Sequence, residues 1–122
     1  MKSVSPGDGE TTVQQLRNIV TKFRDERDWR KFDTPRNLAI SISIEAAELL
    51  EHFQWRTDEE LAGMLRTKEE LAEISHELAD VMIYCLGLSD ILKVDVSAAI
   101  RGKLRKNGEK YPVIGRCTVS SE

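Results

Sequence analysis

This sequence has little of what staples, bends or breaks a chain. Its two cysteines, Cys85 and Cys117, have no spacing motif and no evident reason to pair, so both read as reduced thiols. Prolines number three and aromatic residues make up only 6 %, against 32 % charged residues of both signs, which fits a water-soluble helical protein. Long apolar runs are missing too. The longest uncharged stretch, residues 81–89, is far too short to span a bilayer, so no membrane partner is expected. The first residues lack the apolar core of a signal peptide, and with the reduced thiols this leads us to expect a cytoplasmic location. There is no basic excess either. The net charge of −3 at pH 7 gives no reason to expect a nucleic-acid partner.

What the sequence has in quantity is helical periodicity. We expect a flexible leader over residues 1–10, one domain over 11–112 and a polar tail over 113–122. Thr12 and Gln15 have capping-box form and open a helix expected to run to about Trp29. Its apolar stripe is Val13, Leu16, Ile19, Val20 and Phe23. The charge crowd over residues 22–31 reads mostly as a solvated face. Trp29 within it either covers the core or offers a stacking surface to a base.

The central stretch is residues 35–55. Thr34 is a good N-cap and Pro35 a good first helical residue. Leu38, Ile42, Ala46, Leu49 and Phe53 form one stripe, while Ile40, Ile44 and Ala47 cover much of the remaining circumference. A helix so apolar is expected to be buried, yet it carries Glu45 and Glu48 at i, i+3, on one face. Carboxylates on a buried face must be paired, protonated or metal-bound. Glu77 and Asp80 repeat the spacing at the start of a second apolar run.

Around these helices the punctuation is clear. Thr57 with Glu60 and Thr67 with Glu70 have capping-box form. They predict a short helix ending near Leu65 and a long one from Lys68 to about Leu92, with Gly87 allowing close packing. Asp95 caps a last helix expected to stop at Gly108, after which Tyr111-Pro112 leaves the fold. No strand pattern competes. The fold class is all-α, a four-helix bundle with a short additional helix.

Spacing alone leaves two readings of the acids open: a metal site, or a structural network with the abundant Lys and Arg. If they hold a metal, four carboxylates suit a hard cation, Mg²⁺ or Mn²⁺. A di-iron bundle would need two Glu-x-x-His motifs, and only Glu73 with His76 qualifies, since Glu48 to His52 is one residue too long. The basic segment over residues 101–111 suits a helix C-terminus, or else meets phosphate oxygens beyond a metal.

With these residues laid out, the chain resembles the all-α nucleoside triphosphate pyrophosphohydrolases of the MazG-like superfamily, and within them the dCTP pyrophosphatase branch. The family motif E-x-x-E, spacer, E-x-x-D reads here as Glu45-Ala-Ala-Glu48 and Glu77-Leu-Ala-Asp80. Glu26-Arg-Asp-Trp29, Pro35-Arg-Asn-Leu38, Phe53-Gln-Trp55 and Tyr111-Pro112 extend the likeness across nearly all of the folded part. The resemblance implies hydrolysis of a nucleoside triphosphate to monophosphate and pyrophosphate. It implies that Glu45, Glu48, Glu77 and Asp80 hold Mg²⁺. A carboxylate not saturated by the metal can also orient or deprotonate the attacking water, and we expect Glu48 in that role among these catalytic acids. It implies that Trp29, Trp55 and Tyr84 enclose base and sugar, that Asn107, Lys103 and Lys110 meet phosphates, and that the protein is a dimer or tetramer with shared sites. The chain departs from the branch at the base end. Asp33-Thr34 stands where the animal enzymes usually have His-Gln, and Val20 where they have histidine. A reading of another class remains beside this one, a helical interaction module whose acids are structural.

Overall fold

The computed structural model describes residues 4–114. Five α-helices follow in order: α1 Val13–Glu26, α2 Pro35–Glu51, the short α3 Asp58–Met64, α4 Lys68–Leu92 and α5 Val96–Lys110. The described residues contain no strand, so the all-α class and the four long helices stand as expected. Single 3₁₀ turns occur at Asp8–Glu10, inside the stretch read as a leader, and at Arg30–Phe32. Cys117 and the last eight residues lie outside the described residues. Cys85 is a free, exposed thiol on α4.

Local chemistry sets most helix starts. The Thr12 hydroxyl accepts from Gln15 N–H, and the Gln15 side chain accepts in return from Thr12 N–H. Thr34, Thr57, Thr67 and Asp95 each accept from the backbone N–H three residues on. The ends depart further from expectation. Helix α1 stops at Glu26, not near Trp29, because Asp28 takes a left-handed conformation with φ 56°. Trp29 N–H then bonds back to the Arg24 carbonyl at 2.9 Å. At the other end of the chain, α5 continues through Gly108 to Lys110. It ends where Tyr111 precedes Pro112, a position from which proline sterics exclude helix.

Helix α4 is the spine, with α2 packed along it and α1 more lightly against it. Leu38 on α2 is the most deeply buried apolar side chain among the described residues, joined in the core by Val20, Met64 and Ile74. Gly87 on α4 is buried, but an added Cβ would lie 3.8 Å from Leu38 Cδ2, an ordinary contact. The close approach expected there does not require glycine. The second apolar face of α2 is open, with Ile40 and Ile44 about half exposed. Helix α5 buries no residue at all, and Ile100 and Leu104 stand in solvent. The sequence led us to expect a buried central helix; a single chain covers only one side of it.

Candidate active site

Packing α2 along α4 brings three of the four acids together. Oxygens of Glu45 and Glu48 from α2 and Glu77 from α4 all lie within 4.8 Å of one another. Glu48 is exposed, while Glu45 and Glu77 are partly covered. One oxygen of each covered residue, Oε2, is closed off from solvent and has no hydrogen-bond partner. Such orphaned oxygens carry an uncompensated desolvation cost. The cause shows in their titration. Burial pushes the Glu45 carboxyl up, with the neighbouring Glu48 adding to it, and burial followed by the Glu48 charge does the same for Glu77.

Asp80 does not join the tight trio. It lies one helical turn beyond Glu77, and its charge still reaches both Glu45 and Glu77, pushing their carboxyls up. None of the ion pairs among the described residues uses any of the four acids. A structural network would have tied them to Arg or Lys. The donor set is all carboxylate oxygen, with two members lacking partners, and this fits a hard divalent cation.

Beside Asp80 runs a groove of about 630 Å³ between α1 and α4, lined by Phe23, Arg24, Trp29, Asp80, Tyr84 and neighbouring apolar residues. Its size is that of a small-ligand cleft. Trp29 is 42 % exposed, so it is not a core residue, and its ring meets Phe23 edge-on at 5.8 Å. Trp29 and Tyr84, both expected to enclose the nucleoside, therefore come together here.

Sequence reasoning passed over one residue of this groove and the partner that holds it. Arg24 sat in a charge crowd read as solvated, yet its side chain is 14 % exposed. It is paired with Asp33, 3 % exposed, through Nε to Oδ2 at 2.7 Å and Nη2 to Oδ1 at 2.6 Å. Asp33 is the departure noted before Pro35, and it now has a physical role. The signal in the sequence was a basic and an acidic residue bracketing Trp29. It becomes legible only once the turn at Asp28 folds one back on the other.

Other expected residues are not brought to the cluster within one chain. Trp55 is 83 % exposed and is not among the groove's lining residues. Lys103, Asn107 and Lys110 lie on α5, which has no substantial packing against the helices that carry the acids.

Carboxylates converging from two packed helices, beside an aromatic groove, define an acid-centred all-α protein. The family model for MazG-like proteins matches residues 40–122, which hold both acid pairs, and the chain belongs to that family. It is 38 % identical over 104 residues to dCTP pyrophosphatase 1 of Bos taurus, covering 85 % of this chain and 62 % of the relative. Against dCTP pyrophosphatase 1 of Homo sapiens it is 38 % identical over 103 residues, covering 84 % and 61 %. The chain thus spans about three-fifths of the length of these curated relatives. The crystal structure of a pyrophosphatase from Archaeoglobus fulgidus superposes with a TM-score of 0.76 at 42 % identity, covering 92 % of this chain and 100 % of that one.

Proposed function

We propose that the chain is a Mg²⁺-dependent nucleoside triphosphate pyrophosphohydrolase that acts on a deoxynucleoside triphosphate, dCTP or a related or modified form, cutting between the α- and β-phosphates. The observation that carries this is the convergence of Glu45, Glu48 and Glu77 with two orphaned oxygens and, among the described residues, no ion pair to any of them. The names of the relatives, and that of the archaeal structure, support the same chemistry.

Glu45 and Glu48 from α2 and Glu77 and Asp80 from α4 would hold the ion. When bound, it neutralises polyphosphate charge and acidifies water. Mn²⁺, with the same taste for oxygen, is expected to substitute. Glu48, exposed at the rim of the trio, places the attacking water for in-line approach to the α-phosphorus. Trp29 and Tyr84 enclose the nucleoside in the groove beyond Asp80. Trp55, Lys103, Asn107 and Lys110 serve a site completed by another subunit, so the enzyme is a homo-oligomer, a dimer or a tetramer. We place it in the cytoplasm, in keeping with the free thiol of Cys85.

The direct test is pyrophosphate release from a panel of canonical and modified nucleoside triphosphates, with Mg²⁺ and with chelator. Metal-dependent release is the expected result. No release from any of them would return the acids to a structural role.

The cluster also predicts how stability responds to pH. Glu45 and Glu77 keep their protons to higher pH when folded than when unfolded, so the folded state binds more protons and stability falls as pH rises. The loss begins above the unfolded value of 4.5 and is complete once pH passes the raised folded values. In chelator the protein is expected to melt higher at about pH 5 than at about pH 8, and Glu77→Gln to narrow that gap. Mg²⁺ at about a hundredfold excess over its Kd should raise Tm at about pH 8 by on the order of 10 °C. An unmoved Tm would mean that the cluster holds no Mg²⁺.

A further inference from the structure

We infer that Arg24, fixed by Asp33, is a specificity-determining residue of the groove: the free end of its guanidinium recognises paired hydrogen-bond acceptors on a pyrimidine, the N3 and O2 of cytosine. The inference rests on the pyrophosphohydrolase reading above and deepens it.

The argument starts from which donors remain. A guanidinium offers five N–H groups in a fixed fork. Asp33 takes the side fork, Nε and Nη2. Nη1 and the second hydrogen of Nη2 form the end fork, which makes no hydrogen bond of good geometry among the described residues, with the Tyr84 side chain near enough to add to the rise in the Arg24 pKa. The end fork presents two parallel donors. The side chain cannot easily swing away, because both carboxylate bonds hold it and the rings of Trp29 and Tyr84 lie 5.5 and 5.6 Å from its central carbon. Hydrogen bonding to Asp33 also pushes the Arg24 pKa up, so its donors stay protonated at any working pH.

Position and charge then separate base from phosphate. Arg24 sits at Tyr84, one helical turn or about 6 Å along α4 from Asp80. Phosphates are held at the acids, so a group one turn away meets the nucleoside. Asp33 also cancels the charge of Arg24. The pair attracts a polyanion weakly but keeps its directional donors. Among the residues lining the groove Arg24 is the one cation, and the others are apolar, aromatic or acidic.

Two parallel donors need two adjacent acceptors. Cytosine offers N3 and O2 side by side. Uracil and thymine place an N3–H there, which sets donor against donor and leaves a desolvated N–H without a partner. A bidentate arginine contact to a base discriminates against the wrong one by about tenfold or more. The 4-amino group of cytosine has no part in this recognition, and that is the point at which it can be tested.

The experiment measures kcat/KM for dCTP, dUTP and the 2′-deoxyribosyl triphosphate of pyrimidin-2-one, which keeps N3 and O2 but lacks the amino group. The wild-type protein is expected to favour both dCTP and the pyrimidinone over dUTP by about tenfold or more, mostly through KM. Arg24→Lys, which keeps the charge opposite Asp33 but not the fork, and Arg24→Met with Asp33→Asn, which leaves no unpaired buried charge, are both expected to bring the ratios near one. Turnover of dUTP should survive in both. A pyrimidinone cleaved as poorly as dUTP would show that the amino group is what is read, and would overturn the role of Arg24 from wild-type data alone. Unchanged ratios in folded variants would overturn it too, while metal-dependent cleavage in either case leaves the pyrophosphohydrolase reading standing. Only the absence of cleavage of every triphosphate would remove both.

Discussion

Glu48→Ala and Asp80→Ala are each expected to lose at least about a thousandfold in kcat, with helix content unchanged. The size follows from the job proposed for the cluster. Charge stabilisation by a bound ion supplies several kcal/mol to a transition state, and each 1.36 kcal/mol is about tenfold in rate. The survival of the fold follows from position. Glu48 is exposed, so its removal leaves no cavity. Asp80 is partly covered, but its charge repels Glu45 and Glu77, and removing it relieves that repulsion. In chelator either variant should melt at or above the wild-type temperature, and the rise in Tm on adding Mg²⁺ should shrink or vanish. This pairing of outcomes separates a ligand from a structural acid, whose loss would lower Tm with or without metal. Near-full Mg²⁺-dependent activity in either variant would remove that residue from the site.

Legibility in the sequence tracked the range of the interaction. The helix starts were readable because a cap spans only a few residues: Thr12 with Gln15, Thr34 before Pro35, Thr57 with Glu60. The acids were readable because i, i+3 spacing on an apolar helix conflicts with burial wherever the helix packs. Their meeting across α2 and α4 needed the fold, and the structure shows that Glu45, Glu48 and Glu77 converge while Asp80 stands one turn off. The ends of α1 and α5 were not readable. A left-handed residue at Asp28 and a helix that tolerates Gly108 are outcomes of competing local preferences worth about a kcal/mol each. Arg24 and Asp33 were missed for the same reason. Nine residues apart in the chain, they become neighbours only after the turn at Asp28 forms, and a lone arginine among charges carries no mark of what it will face.

In solution the protein is expected to have at least twice its chain mass of 13.9 kDa, and Ile100→Glu with Leu104→Glu is expected to dissociate it and abolish turnover. The apolar surface left open among the described residues is ordered along helices. Ile40 and Ile44 lie one turn apart on α2, Leu78 and Met82 one turn apart on α4, and Ile100 and Leu104 one turn apart on α5, all about half exposed or more. Three such stripes on one small chain make a surface of the kind that obligate subunits bury. Helix α5 sharpens the argument, since it carries Lys103 and Asn107 yet buries nothing of its own. If it docks on a partner, it brings those residues to the partner's acids, and each site needs two chains. Complementation tests this directly. Glu48→Ala and Asn107→Ala chains, each inactive alone, are unfolded and refolded together in equal amounts. Random pairing should restore about a quarter of wild-type activity, because half of the dimers are mixed and each mixed dimer has one intact site. No recovery from a stable oligomer would place Asn107 at its own chain's acids, and a fully active species sedimenting at 13.9 kDa would refute the shared site altogether.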